Sequence, residues 1–214
     1  MLKDIKAIIF DMDGTLVDSM WIWKQIDIDF FARFNKVFPE DLQKQIEGLS
    51  FYQTAEFIKE RYDFDLSIEE MMDIWNEMAY EKYSREVNFK EGAEDFVIRC
   101  RDKGIKLGIA TSNSRYLFDA VMDHLGLDRY FDCILTGTEI TNGKPAPDVY
   151  LTVAERLGVS PCDCLVFEDI IPGIMAGRNA GMKVCAVADE YSVCDESEKI
   201  KLADYHIDNY NRLL

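Results

Sequence analysis

The sequence predicts an α/β fold, in which a Rossmann-like parallel sheet core carries an inserted bundle of α-helices. The first observation is the compact apolar run KAIIF, which ends at Asp11, and four similar runs that follow later in the chain. The second is that helical patterns separate those later runs. Short apolar runs are typical of strands buried on both faces, and alternation of strands with helices implies parallel pairing.

The later strands are predicted at KLGIAT (106–111), CILT (133–136), CLVFED (164–169) and KVCAV (183–187). Between them, SRYLFDAVMDHLG has a suitable N-cap at Ser114 and a helix-ending glycine at Gly126. APDVYLTVAERLG and IIPGIMAGRNAG likewise end in glycine, at Gly158 and Gly181. We therefore expect a sheet covered by helices on both faces.

The third observation is that residues 16–88 break this alternation. Three amphipathic patterns, SMWIWKQIDIDFFARFNKVF, SFYQTAEFIKERY and SIEEMMDIWNEMAYEKYSRE, predict helices with possible caps at Ser19, Ser50 and Ser67. Ser67 and Glu70 fit a capping box. No strand pattern interrupts these helices. The predicted organisation is a core domain of residues 1–15 and 89–214, with a helical domain of residues 16–88.

Composition narrows the possible partners. Of the 214 residues, 48% are hydrophobic, and the formal net charge of −16 disfavours nucleic acid and anionic membrane surfaces. A small anionic substrate stays possible if a divalent cation is held locally. Charged residues interrupt the N-terminus, so we expect no signal or membrane-spanning segment there. Six cysteines lack a framework-like spacing, which predicts reduced thiols in a cytoplasmic protein. We expect a monomer or a weak dimer.

Polar residues follow the predicted strands at their carboxyl ends. The first strand ends at Asp11, the second at Thr111 and the fourth at Glu168 and Asp169, while Lys144 follows the third. Parallel sheets bind ligands beyond this edge. Because polar residues occur at four strand ends of one sheet, we predict that they form a single binding site.

Each of these residues has an ordinary structural explanation. DxDGT is compatible with a solvated loop, Lys144 with an exposed loop cation, and Thr111 with a helix cap. Glu168 and Asp169 could complement a helix dipole. Taken together, these explanations require four independent coincidences at four strand ends, so a shared site is favoured.

The stretch around Asp11 and Asp13 suggests what such a site contains. In strand geometry the two side chains share a face about 6–7 Å apart. Two carboxylates at a buried strand end repel each other and are poorly solvated, so a cation is expected to offset them. Gly14 lets the chain turn tightly and present backbone N–H groups to an anion.

The motifs DMDGT, IATSN, GKPAPD and FEDIIPGIMAGRNAGM resemble, in order and spacing, the four motifs of the haloacid dehalogenase superfamily. The resemblance covers essentially the whole chain. The helical segment is similar to the cap domain of the β-phosphoglucomutase-like and phosphoglycolate-phosphatase-like subgroup.

The resemblance implies a role for each core residue. Asp11 would be the nucleophile that forms an aspartyl-phosphate, and Asp13 the general acid and base. Lys144 would neutralise charge on Asp11 and on the phosphoryl group. The residues that would bind phosphate are Thr111 as a catalytic hydroxyl, with Gly14, Thr15, Ser112 and Asn113. The implied Mg²⁺ ligands are Asp11, Asp13 through its carbonyl, and Asp169, with Glu168 as a further candidate.

The resemblance also implies phosphoryl transfer to water or to sugar. Dehalogenases and phosphonate hydrolases of the superfamily lack an aspartate at the position of Asp13. Trp23 and Phe51 stand where β-phosphoglucomutases have a cap histidine and arginine, so a Mg²⁺-dependent phosphatase acting on a small phosphate monoester is predicted. A phosphohexomutase is the alternative, and a receiver-like or catalytically silent protein is a remote one.

Trp23, Phe51 and Tyr52 are further predicted to face the substrate from the cap, where they would suit a sugar ring or nucleobase. Packing in the core of the cap is the simpler explanation for aromatic residues at helical spacing.

Overall fold

The computed structural model describes residues 1–46, 51–126, 129–140 and 142–214. Its strands are β1 (Ala7–Phe10), β2 (Val17–Asp18), β3 (Asn88–Phe89), β4 (Lys106–Ala110), β5 (Cys133–Leu135), β6 (Cys164–Glu168), β7 (Lys183–Val187) and β8 (Tyr205–Ile207). Six of them form one sheet in the order β5-β4-β1-β6-β7-β8, and every neighbouring pair is parallel. The predicted parallel α/β sheet is therefore confirmed.

The helices are α1 (Trp21–Arg33), α2 (Leu42–Ile46), α3 (Phe51–Tyr62), α4 (Ile68–Tyr83), α5 (Ala93–Asp102), α6 (Arg115–Leu125), α7 (Asp148–Leu157), α8 (Ile171–Asn179) and α9 (Glu196–Leu202). The sheet is buried on both faces because side chains alternate along each strand. In β1, Ile8 and Phe10 join one hydrophobic cluster, whereas Ala7 and Ile9 join another. Among the described helices, none has both the length and the apolar character needed to cross a membrane.

Residues 16–88, called the helical insert below, contain α1–α4. The insert has an aromatic centre in which Phe30 lies 4.9 Å from Phe64 and 5.3 Å from Trp75, measured between ring centroids. Where the chain enters and leaves the insert, β2 and β3 pair as antiparallel strands, with Val17 opposite Phe89 and Asp18 opposite Asn88. These two strands flank α1–α4 and do not interrupt them. The sequence did not indicate them, because two-residue strands are too short to produce a hydrophobic pattern.

The predicted helix caps had different outcomes. Ser67 and Glu70 form the predicted capping box of α4, and Ser114 accepts a hydrogen bond from the Leu117 N–H. Ser19 does not cap α1, whose N-cap is Met20. The Ser19 hydroxyl instead donates to Asp13. Ser50 lies outside the described residues.

Candidate active site

The sheet order brings the predicted strand ends together. Because β1 lies between β4 and β6, Asp11, Thr111 and Glu168 lie at neighbouring carboxyl ends. Beyond this edge is a cleft of about 120 Å³. The residues that line it are Asp11, Asp13, Met20, Thr111, Ser112, Asn113, Lys144, Asp169 and Ile170.

Three buried carboxylates form the floor of this region. One carboxylate oxygen each of Asp11, Glu168 and Asp169 lies within 4.8 Å of the other two. The Lys144 Nζ donates to Asp11 Oδ1 at 2.5 Å and also to Glu168 Oε1. Lys144 thus pairs with two of the three carboxylates, and Asp169 has no ion-pair partner among the described residues, so the charge is incompletely offset.

Glu168 and Asp169 have different hydrogen-bond partners. Glu168 Oε1 accepts from Lys144 and from the Tyr150 hydroxyl at 2.5 Å, and Oε2 accepts from the Asp169 N–H at 3.2 Å. Asp169 Oδ1 accepts from the Thr15 hydroxyl at 2.8 Å. Among the described residues, nothing donates to Asp169 Oδ2 or Asp11 Oδ2. These two oxygens are therefore the ones most available to a cation.

The electrostatics of the cluster favour an additional positive charge. Burial raises the pKa of Asp11 well above its ordinary value, and Glu168 and Asp169 raise it further, against the opposing effect of Lys144. Burial and Glu168 raise the pKa of Asp169 to about 7. Burial lowers the pKa of Lys144, but Asp11 and Glu168 raise it by more, so it stays protonated. A divalent cation would lower both carboxyl pKa values.

The donor set fits Mg²⁺. The three side chains that converge on this point, Asp11, Glu168 and Asp169, all offer carboxylate oxygens, which hard cations prefer. Cysteine and histidine, the ligands that softer metals prefer, do not belong to this cluster in the part of the chain that the structure describes. The chemistry of the cluster therefore favours a hard divalent cation.

Asp13 is held by side chains from both the core and the insert. Its Oδ1 accepts from the Ser19 hydroxyl and the Tyr83 hydroxyl, each at 2.6 Å. Its Oδ2 accepts from Asn113 Nδ2 at 3.0 Å. Burial and the nearby Asp13 carboxylate raise the pKa of Tyr83, so its hydroxyl remains a donor. Sequence reasoning missed Tyr83, because nothing in the motifs marks a tyrosine at the end of α4.

The opposite wall of the cleft supplies hydroxyl and backbone groups. Thr111 is buried, and its Oγ1 accepts from the Asn113 N–H at 3.0 Å, which leaves its own hydroxyl proton free to donate. Ser112 is exposed to the cleft. Because the Asn113 N–H is already used, Thr111 and the Ser112 N–H are the stronger candidates for contacts with an anion.

Gly14 and Thr15 lie behind the cleft and do not line it. Gly14 has φ +75°, and a Cβ there would lie 2.4 Å from Asp169 Oδ2. Glycine is therefore required both by backbone conformation and by space. On the far side of this turn, Lys90 Nζ donates to the Gly14 carbonyl at 2.9 Å and to Asp189 Oδ2 at 2.6 Å. Sequence reasoning missed Lys90 too.

The aromatic residues predicted for the cap are not in the cleft. Trp23 and Phe51 line a separate cavity of about 230 Å³, called the insert cavity below. It is lined by Trp23, Ile26, Asp27, Gln43, Ile46, Phe51, Thr54 and Trp75. Tyr52 is exposed and lines neither space. Contact of these three residues with substrate remains a prediction.

Asp27 in the insert cavity gives a prediction about stability. Burial raises its pKa from 3.8 to about 6, partly opposed by the hydrogen bond from Gln43. Protonation therefore favours the folded state, so the free energy of unfolding falls as the pH rises from 3.8 to about 6 and stays lower above that range. Asp27→Asn, which keeps an acceptor for Gln43, should raise the free energy of unfolding at pH 8 by about 1–3 kcal/mol. Urea unfolding at pH 8 and pH 4 would measure this difference; equal effects at both pH values would contradict it.

Comparisons with known proteins agree with the motifs and the sheet. The family model for haloacid dehalogenase-like hydrolases matches residues 8–187. A phosphorylated carbohydrates phosphatase of Thermotoga maritima is 31% identical over 84% of this chain and 83% of its own length. Hexitol phosphatase B of Escherichia coli K12 is 26% identical over 86% of this chain and 84% of its own length.

A solved structure shows the same architecture. It is a Thermotoga maritima protein provisionally named a β-phosphoglucomutase, and it superposes with a TM-score of 0.83 at 28% identity, covering 95% of this chain and 94% of its own. The family model alone spans most of the chain, including every motif that suggested the resemblance. The chain therefore belongs to the haloacid dehalogenase-like hydrolase family and is an enzyme of that family.

Proposed function

We propose that this enzyme is a Mg²⁺-dependent phosphatase that hydrolyses a small phosphate monoester, such as a sugar phosphate, through an aspartyl-phosphate on Asp11. The observation that carries the proposal is the arrangement around Asp11. One of its carboxylate oxygens is bound to Lys144 and the other lacks a donor among the described residues, while Asp13 lines the same cleft. The names of the related phosphatases support the reaction and the substrate class.

Asp11 attacks phosphorus, and the bond from phosphorus to the leaving oxygen breaks. Asp13 gives its proton to that oxygen and then takes a proton from the water that hydrolyses the aspartyl-phosphate. Lys144 and the hydroxyl of Thr111 offset charge on the phosphoryl oxygens. Ser19, Tyr83 and Asn113 keep the Asp13 carboxylate in place between these two steps.

Asp11 and Asp169 would hold Mg²⁺ through their free oxygens, together with the Asp13 carbonyl. Glu168, whose oxygens are already bonded, would hold Lys144. The bound cation would supply positive charge that draws the phosphate dianion towards Asp11 and disfavours protonation of that nucleophile.

The mutase alternative is supported by the name of the similar structure. The insert cavity argues against it. The residues with described side chains that line this cavity include Asp27 and no lysine, arginine or histidine. A phosphohexomutase must hold a second phosphate away from the reacting one, and a buried carboxylate without a cation would repel it. We infer that residues 16–88 act as a cap that selects the leaving group and that residues 1–15 and 89–214 carry out the chemistry.

All six cysteines are free thiols, which supports the proposal that the enzyme functions in a reducing compartment such as the cytoplasm.

Removal of metal tests the proposal directly. We expect phosphate release from p-nitrophenyl phosphate to fall to background in excess EDTA, because Lys144 pairs with only two of the three buried carboxylates and Asp169 would then lack a cation. Added Mg²⁺ should restore it, and unfolding measurements in EDTA would show that the fold persists. Turnover that is unaffected by complete chelation would contradict the proposal.

A further inference from the structure

We propose that the insert cavity binds a protonated amine of the leaving group, so that the preferred substrates are phosphate esters of amino alcohols or amino sugars. This inference rests on the proposed phosphatase function. It predicts which ester the enzyme prefers, and the experiment below can refute that preference without refuting the phosphatase function.

The catalytic cleft and the insert cavity are lined by residues of one stretch of chain, the N-cap and first turns of α1. Met20 lines the cleft, whereas Trp23 and Asp27 line the insert cavity. Met20 is the N-cap of α1 but has helical backbone angles, with φ −66° and ψ −26°. The three residues are three and then four positions apart, so they lie on one face of the helix. Seven residues of helix span about 10 Å, which is the reach of a sugar or a short chain attached to the phosphate.

Asp27 gives the insert cavity a charge that nothing described there balances. The residue is 8% exposed, and among the described residues its carboxylate accepts one hydrogen bond, from Gln43 Nε2 at 2.7 Å. A buried carboxylate without a cation destabilises the fold, and the raised pKa of Asp27 is consistent with that cost. An ammonium group on the ligand would supply the balancing charge.

Aromatic rings surround the same space. The Phe51 ring centroid lies 6.3 Å from that of Trp23 and 5.6 Å from that of Trp75. Aromatic faces attract organic cations, and this attraction adds to that of a carboxylate. The Trp75 indole N–H is buried and has no acceptor among the described residues. A hydroxyl oxygen on the ligand would provide one, so an amine and a hydroxyl on one leaving group suit the cavity best.

The test is a series of ω-aminoalkyl phosphates with two to six carbons, each compared with the alkyl phosphate of equal length. At about pH 8, where the amine is charged and Asp27 is ionised, we expect kcat/KM to favour the amine by about tenfold or more at five or six carbons. At two carbons the preference should disappear, because the amine cannot reach the insert cavity. N-acetylation of the longest amine removes its charge and should abolish the preference.

Asp27→Asn should bring the ratio of amine to alkyl ester close to one. Asp73→Asn is the matched control, because Asp73 is an exposed acidic residue of the same insert that does not line the cavity. It should leave the ratio as in the wild type. If Asp27→Asn does not fold, the wild-type series and its N-acetylated member decide the question. Hydrolysis of all esters with no amine preference at any length would overturn this inference and leave the phosphatase intact. Failure to hydrolyse any ester would overturn both.

Discussion

Asp11→Asn should lower phosphate release from p-nitrophenyl phosphate by roughly 10⁴-fold or more, as expected when a nucleophile is removed. The amide can still accept a hydrogen bond from Lys144, so the change removes nucleophilicity and charge with little change of shape. Initial rates at saturating Mg²⁺ would measure the loss.

The matched control for Asp11 is Asp163→Asn. Asp163 is also paired with a lysine, Lys6, but on the surface at 2.7 Å and away from the cleft. This control should keep wild-type turnover. Near-normal turnover by Asp11→Asn would show that another residue attacks phosphorus. Mass spectrometry of the variant would first exclude deamidation of the asparagine back to aspartate.

Asp13→Asn should separate the two half-reactions. The p-nitrophenolate leaving group needs little help from an acid, so the first step should be mildly affected, whereas attack by water loses its general base. We expect steady-state turnover to fall by about 10²–10⁴-fold, with a burst of p-nitrophenol that approaches one equivalent per enzyme. Rapid-mixing absorbance measurements would show the burst.

The control for Asp13 is Asp18→Asn, which removes the same charge five positions later. Asp18 is exposed in β2 and does not line the cleft, so this variant should turn over normally without a burst. If Asp13→Asn slowed p-nitrophenol release and phosphate release equally, with no burst, its role in the second step would be refuted.

The core of the fold could be predicted from sequence because buried parallel strands have a strong local pattern. KAIIF and CLVFE read as strands without reference to anything else, and both occur at the centre of the sheet. The same pattern is absent from β2 and β8. The first has only two residues, and in the second His206 separates Tyr205 from Ile207, so neither forms a compact apolar run. The grouping of Asp11, Thr111 and Asp169 followed from the sheet, because carboxyl ends of parallel strands meet at one edge.

Other parts of the site depend on contacts that sequence spacing does not determine. Tyr83 reaches Asp13 across 70 positions, and Lys90 reaches Gly14 across 76, because the insert folds back onto the core. Neither residue type is unusual in its local segment. Likewise, the placement of Trp23 and Phe51 in a cavity with Asp27 depends on how α1, α2 and α3 pack together. Helical periodicity shows which residues share a face and does not show what that face meets.

In the proposed mechanism, the substrate phosphorylates Asp11. Asp13→Asn mixed with substrate and Mg²⁺, quenched in acid and digested, should yield one phosphorylated peptide whose fragmentation places the phosphoryl group on Asp11. A phosphoryl group on any other residue would contradict this assignment of the nucleophile. So would the absence of any phosphorylated peptide in samples quenched during a demonstrated burst.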